Sequence, residues 1–149
     1  MITDNYVSFE TATLLKEKGF DEPCNRVYMH DGKCVCAPNF MEGESFVVND
    51  DIDAVKRYDE PNWIVYIQGE YAYLCPSISL TMKWLREEHK IHIQIWILEE
   101  NGYWFNIEKI LNTQYKHKSL YSTGLEDLYF DTYEEACEAA IKYCLEHLI

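Results

Sequence analysis

The chain has 149 residues, of which 48% are hydrophobic and 15% aromatic, and its net charge is −13. This apolar content suffices for a packed core and excludes a compositionally disordered chain. The charge argues against binding nucleic acid through its phosphates and against docking on an anionic membrane, because both need clustered Lys and Arg. The densest basic run is only KHK at 116–118.

Location is suggested by three features of the sequence. The start, MITDNYVSFETATLL, has no basic segment followed by an apolar run and a cleavage site, so no signal peptide is expected. The longest apolar runs, such as WIVYI at 63–67, are too short to span a bilayer. The six cysteines follow no spacing typical of secreted scaffolds. We therefore predict a cytoplasmic protein with reduced thiols.

The first predicted element is a helix over SFETATLLKEKGF, residues 8–20. Ser8 can cap its first backbone amides. Gly19 can adopt the left-handed conformation that ends a helix, which would place Phe20 against Leu15.

The next stretch, CNRVYMHDGKCVC at 24–36, holds three cysteines and a histidine and raises the question of a metal site. Asp31-Gly32 between two β-prone runs favours a hairpin with a two-residue turn. In that register one apolar face of the hairpin would hold Val27, Met29, Cys34 and Cys36. His30 would point away from both hairpin cysteines, so we expect them to serve as small hydrophobic groups without zinc.

Residues 41–62 are the most acidic part, and we expect a loop there with a short helix in DIDAVKRY at 51–58. Four side chains fall at positions 1, 3, 5 and 12 of a calcium-binding loop, namely Asn49, Asp51, Asp53 and Glu60. Ala54 occupies the position that requires glycine, and Pro61 would interrupt the following helix. A solvated acidic loop without calcium is the prediction.

Further along, WIVYIQGEYAYL at 63–74 predicts a strand, a break and a second strand, and a helix follows over 78–89. The clearest strand signal is the alternating IHIQIWIL at 91–98. With Asn101-Gly102 as a two-residue turn, this strand pairs with YWFNIEKI at 103–110.

The strand over 91–98 is apolar on both faces. Its isoleucines would share one face, and in the predicted register the other would hold Trp96, Leu98, Phe105 and Ile107. Such a strand is either covered twice or meets another chain. We therefore expect an interaction surface formed by Ile93, Ile95, Ile97 and Trp104.

The C-terminal part is predicted to contain an irregular connection at 111–124, a short strand at 125–130 and a final helix from Thr132. Thr132 and Glu135 have the spacing of a capping box. The apolar stripe of this helix comprises Ala136, Cys137, Ala140, Ile141, Cys144 and Leu148. The pattern as a whole predicts a single α+β domain over 1–149, in which two or three helices pack on an antiparallel sheet built from hairpins.

Motifs of catalysis are scarce. The sequence contains no glycine-rich phosphate loop, no nucleophile elbow and no HExxH. Glu88 and His92 could form an acid–base pair, but their closeness in sequence supplies no pocket with a nucleophile, a base and an orienting group. We predict no catalytic residue, metal or cofactor, which favours a protein that is not an enzyme.

Two segments, LTMKWLREEHKIHI and TYEEACEAAIKYCLEHLI, resemble recurrent stretches in small uncharacterised proteins of gut anaerobes that are carried on prophages or mobile elements. The resemblance covers residues 70–149. It is carried by a helix with the core Trp84, Leu85, Arg86, Glu87 and His89, and by Tyr133, Glu134, Glu135 and Ala136. It implies no activity or catalytic residue and points to an accessory protein linked to mobile elements.

From residue 78 the predicted order is helix, three strands, helix, which is similar to the order in a double-stranded-RNA-binding domain. Such domains contact phosphates with basic residues beside the second helix. Here that helix begins with Glu134, Glu135 and Glu138, so we expect a similarity of shape without the function.

Three functions are compatible with these features. The leading hypothesis is a non-enzymatic accessory protein that acts through a protein partner or as a homo-oligomer, without nucleic acid or membrane. An alternative is an acidic decoy that imitates nucleic acid and blocks a DNA-binding protein. Another is a small enzyme that uses carboxylate and imidazole groups near 86–92.

Overall fold

A computed structural model describes residues 5–36, 46–49, 54–57, 72–111 and 116–149. The backbone divides into two compact units, which are Tyr6–Ser77 (the N-terminal unit) and Ile78–Ile149 together with Asn5 (the C-terminal unit). The α+β class with antiparallel sheets is confirmed. That residues 1–149 form one domain stays a prediction.

The N-terminal unit begins with helix α1, Phe9–Glu17, and both predicted ends of this helix are confirmed. The Ser8 hydroxyl accepts a hydrogen bond from the backbone amide three residues later, at 3.2 Å. Gly19 has φ 79, and the Phe20 amide donates to the Leu15 carbonyl at 3.0 Å. Because Leu15 and Phe20 are both buried, the helix end anchors the chain in the core.

The described strands of this unit are β1 (Arg26–Met29), β2 (Cys34–Cys36), β3 (Phe46–Asn49), β4 (Ala54–Arg57) and β5 (Ala72–Leu74). Strands β2, β1 and β5 form one antiparallel sheet in that order, and β3 pairs with β4. The prediction of a short helix within 51–58 is wrong, because residues 54–57 form the strand β4. Of the calcium-loop positions, Asp51, Asp53 and Glu60 lie outside the described residues. Residues 63–71 of the strand, break and strand expected over 63–74 also lie outside them, and β5 lies within the second expected strand.

The first hairpin has a register that differs by one residue from the predicted one. Gly32 has φ 83 and is the last residue of a three-residue loop, so Tyr28 pairs with Cys34. A shift of one residue exchanges the two faces of a strand. The prediction that Cys34 shares the face of Val27 and Met29 is therefore wrong, because those two side chains are buried whereas Cys34 is exposed.

The C-terminal unit contains α2 (Ile78–His89), β6 (Ile91–Leu98), β7 (Gly102–Ile110), β8 (His117–Ser122) and α3 (Tyr133–His147). The strands form an antiparallel sheet in the order β6-β7-β8. The predicted order of helix, three strands and helix is confirmed, but the third strand is not at 125–130. A 3-10 turn at Thr123–Glu126 and a single bridge from Phe130 to Tyr103 occupy that region.

The core of this unit lies between the two helices and one face of the sheet. From the sheet it takes Ile91, Ile93, Phe105 and Ile107, and from the helices mainly Trp84, Leu85, Ala136, Cys137, Ala140, Ile141, Cys144 and Leu145. Each large aliphatic side chain buried in this way contributes about 1.5–3 kcal/mol. The predicted stripe of α3 is confirmed except at its end, where Leu145 is buried and Leu148 is only partly so. The capping box of Thr132 and Glu135 is also present.

The second hairpin also has a three-residue loop in place of the predicted two-residue turn. Three residues lie between the paired Leu98 and Gly102, so Phe105 pairs with Ile95. Phe105 and Ile107 therefore share the isoleucine face, and the prediction that they lie with Trp96 is wrong. Gly102 has φ 101, and a Cβ there would collide with the carbonyl oxygen of Phe130.

Replacing Gly102 with alanine is expected to lower the free energy of unfolding by about 3 kcal/mol, since positive φ and the Phe130 carbonyl both oppose a side chain. Gly19→Ala is the matched control, because Gly19 also has positive φ but has nothing within 4 Å of its Cβ position. That variant should lose about 1 kcal/mol. Urea unfolding followed by circular dichroism measures both, and equal losses would contradict the role of Phe130.

Candidate functional site

The β6–β7 hairpin passes from the core into solvent along its length. Ile91 and Ile93 are buried, Ile95 is partly buried, and Ile97 is 67% exposed. Only the part of the isoleucine face near the hairpin turn is therefore available for contact with another molecule.

Two tryptophans occupy the opposite face of the same end. Trp96 and Trp104 pair across the ladder, and their rings stack with centroids 6.0 Å apart at an angle of 18°. Trp104 also lies against Gly124, where a Cβ would come within 2.8 Å of the indole ring. Trp104 is thus held on two sides, and Trp96 rests on it with 52% of its surface exposed.

The segment that follows β8 borders this end of the hairpin. Tyr103 and Phe130 exchange backbone hydrogen bonds of 2.8 and 2.7 Å, and the Tyr133 ring lies edge-on to Tyr103 at 6.1 Å. These contacts bring Leu125, Leu128 and Tyr133 to the border of the hairpin end.

The result is a set of exposed apolar side chains at the end of the β6–β7 hairpin, with Trp96 and Leu98 on one face of the sheet and Ile97 on the other. We name this set the hairpin-end surface: Trp96, Ile97, Leu98, Leu125, Leu128 and Tyr133. Their exposed fractions range from 45% to 88%. Single exposed apolar residues are common, whereas exposed apolar side chains that are grouped together are typical of interaction sites.

The predicted interaction residues are only partly brought together. Ile93 belongs to the core, because the helices cover its face of the sheet. Ile97 is exposed, and Trp104 lies partly buried on the opposite face of the sheet. The sequence interpretation did not identify Leu125 and Leu128 as exposed interaction residues, because it assigned 125–130 to a strand. The segment LEDL, which places two leucines beside acidic residues, was the signal that could have identified them.

The acid–base candidates are separated in the structure. No hydrogen bond or ion pair joins Glu88 to His92 in the described part of the chain, and His92 pairs across the ladder with Glu108. The Glu108 carboxylate lies 3.0 Å from His117 Nδ1 and accepts a hydrogen bond from the Asn106 amide at 3.0 Å. The carboxylate opposite His92 is therefore engaged in a network across the sheet, which depends on register and could not be predicted from spacing.

His89 also has a packing role. Its ring lies edge-on to Trp84 at 4.5 Å. Burial, with a smaller effect from the Lys109 ammonium, lowers the pKa of His89. The neutral ring is therefore favoured, although its place at the end of α2 would by itself favour a cation.

Most described thiols are buried and resist ionisation. Burial is the main cause that raises the thiol pKa to about 12 for Cys24, Cys75 and Cys144, and to about 11 for Cys137. Because the thiolate is the reactive form, these sulfurs act as packing groups. Within the described residues, no group of three His, Cys, Asp or Glu side chains is placed to hold a metal ion.

Comparison with known proteins gives no relative: the chain matches no family model, no curated protein and no solved structure. None of the helices in the described ranges combines the length and apolar character needed to cross a membrane.

Brief alkylation of the native protein with iodoacetamide at about pH 8 is expected to modify Cys34 at least about 100-fold faster than the buried cysteines, whose thiols stay protonated. Peptide mass spectrometry measures the rate at each site, and Cys34→Ser provides the control. Native labelling of Cys24, Cys75, Cys137 or Cys144 at the rate of Cys34 would show that those sulfurs are not packing groups.

Proposed function

We propose that this protein is a non-enzymatic accessory protein that binds another protein through the hairpin-end surface. The observation that carries the proposal is the gathering of six exposed apolar side chains at one end of the sheet. Removing apolar surface from water contributes about 25 cal/mol per Å². A partner that covers these side chains therefore stabilises the complex by burying surface that the folded chain leaves in water.

The surface is also prepared for binding. Trp96 is stacked on Trp104, and Trp104 is confined by Gly124. A side chain that is already ordered loses little conformational entropy when a partner covers it. Aromatic anchors of this kind commonly supply most of the affinity of a protein interface.

A cytoplasmic, mobile-element-linked setting belongs to the same proposal. Cys24, Cys75, Cys137 and Cys144 are buried free thiols, and Cys34 is an exposed free thiol, which suits a reducing compartment. The resemblance of residues 70–149 to proteins of mobile elements favours an accessory role over a metabolic one.

The enzyme alternative near 86–92 has weaker support. Glu88 is exposed at the end of α2, and His92 faces a different carboxylate, Glu108, across the ladder. The acidic-decoy alternative stays a prediction that depends on carboxylates at the spacing of duplex phosphates.

A photo-crosslinking amino acid at position 97, introduced in cells that produce the protein, is expected to capture one discrete protein partner. Position 87 is the matched control, since the Glu87 side chain is 57% exposed and lies beyond the opposite end of β6, which is about 23 Å long. Immunoblotting and mass spectrometry identify the adducts.

Leu125→Asp, introduced with the crosslinker still at position 97, should remove the adduct, because a charge replaces an exposed apolar contact. The unfolding free energy should change by no more than about 0.5 kcal/mol, as is usual for surface substitutions. Absence of an adduct at position 97, or equal capture from position 87, would refute binding through this surface.

A further inference from the structure

We propose that the partner bound at the hairpin-end surface is a basic protein segment, rich in Lys or Arg, that carries interleaved apolar side chains. This inference rests on the proposed function and adds the chemistry of the partner. It follows from the distribution of charge around the apolar group.

Exposed carboxylates lie in the same two segments as the hairpin-end surface, the β6–β7 loop and residues 125–135: Glu99, Glu100, Glu126, Asp127, Asp131, Glu134 and Glu135. Three of them have structural partners within the unit, namely the Tyr121 hydroxyl for Glu126, the Asn5 amide for Glu134 and the α3 cap for Glu135. The carboxylates with no hydrogen bond or ion pair in the described part of the chain are those of Glu99, Glu100, Asp127 and Asp131.

No Lys or Arg lies among the described residues that form this end of the unit. Residues 91–108 and 119–141 contain no Lys or Arg. The lysines in or next to the strands lie at the other end of the sheet, where Lys90 precedes β6, Lys109 lies near the end of β7, and Lys118 lies near the start of β8. Charge is therefore segregated along the strands, whereas solubility alone requires only interspersed charges.

A negative field around an apolar centre selects its ligand. It attracts cations and speeds their encounter with the surface. The exposed ring of Trp96 offers a cation–π contact to an approaching Lys or Arg. A basic amphipathic segment satisfies both features, because its apolar side chains cover the centre while its cations meet the four carboxylates.

Other occupants fit less well. A second copy joined through the same patch about a two-fold axis would bring two sets of unpaired carboxylates together, and like charges in an interface repel. Anionic lipid headgroups and nucleic-acid phosphates are repelled for the same reason.

The test uses the full chain and two synthetic amphipathic peptides with identical Leu and Trp positions, one with Lys and the other with Glu at every polar position. Calorimetric titration at about 50 mM salt, where charge effects are weakly screened, measures both. We expect the Lys peptide to bind at least about tenfold more tightly than the Glu peptide.

The decisive comparison is between Glu99→Gln/Glu100→Gln and Glu87→Gln/Glu88→Gln. Both double variants neutralise two adjacent exposed glutamates, so they change the net charge equally. The first should weaken binding of the Lys peptide about five- to tenfold and the second less than twofold, because only the first pair lies beside the surface.

Several results would overturn the inference. No binding of the Lys peptide, equal effects of the two double variants, or binding of the chain to phosphatidylserine vesicles would each do so. If both peptides bound equally and the Ile97→Asp variant bound neither, the proposed function would stand. Only the requirement for cations in the partner would be removed. A stable dimer that Ile97→Asp dissociates would identify a second copy as the occupant.

Discussion

The C-terminal unit depends on the register of one hairpin. Successive side chains of a strand point to opposite faces, so a shift of one residue exchanges core and solvent. Gly102, with positive φ and the Phe130 carbonyl beside it, holds the β6–β7 register. In that register Ile93 and Phe105 enter the core under the helices, while Trp96 and Trp104 stack on the opposite face. The core and the hairpin-end surface are thus two consequences of one alignment.

Local chemistry explains which parts of the fold were predictable. Helix ends depend on a few neighbouring residues, so the caps at Ser8 and Thr132 and the bounds of α2 followed from the sequence. The number of residues in the two hairpin loops did not follow from the sequence, because an Asp-Gly or Asn-Gly pair permits both two- and three-residue loops. Contacts between residues distant in sequence determine which loop forms. The glycine of each pair still marks positive φ, at Gly32 and Gly102.

The candidate site was only half predictable for the same reason. Ile97 was found because alternation marks apolar positions, but alternation does not show where the covering helices stop. Leu125 and Leu128 come to the surface through the bridge between Tyr103 and Phe130, a contact that no local pattern specifies. Conversely, the cysteines and His89, which look chemical in the sequence, are mostly packing groups, because burial opposes their charged forms.

The hairpin-end surface joins two features that folding alone does not require: grouped apolar side chains in water and unpaired carboxylates segregated around them. Hydrogen–deuterium exchange of the full chain, free and bound to the partner captured at position 97, locates the contact most directly. We expect added protection at residues 96–104 and 123–133, with α2 unchanged. Protection confined to α2, or to the lysine-bearing end of the sheet, would contradict binding through this surface.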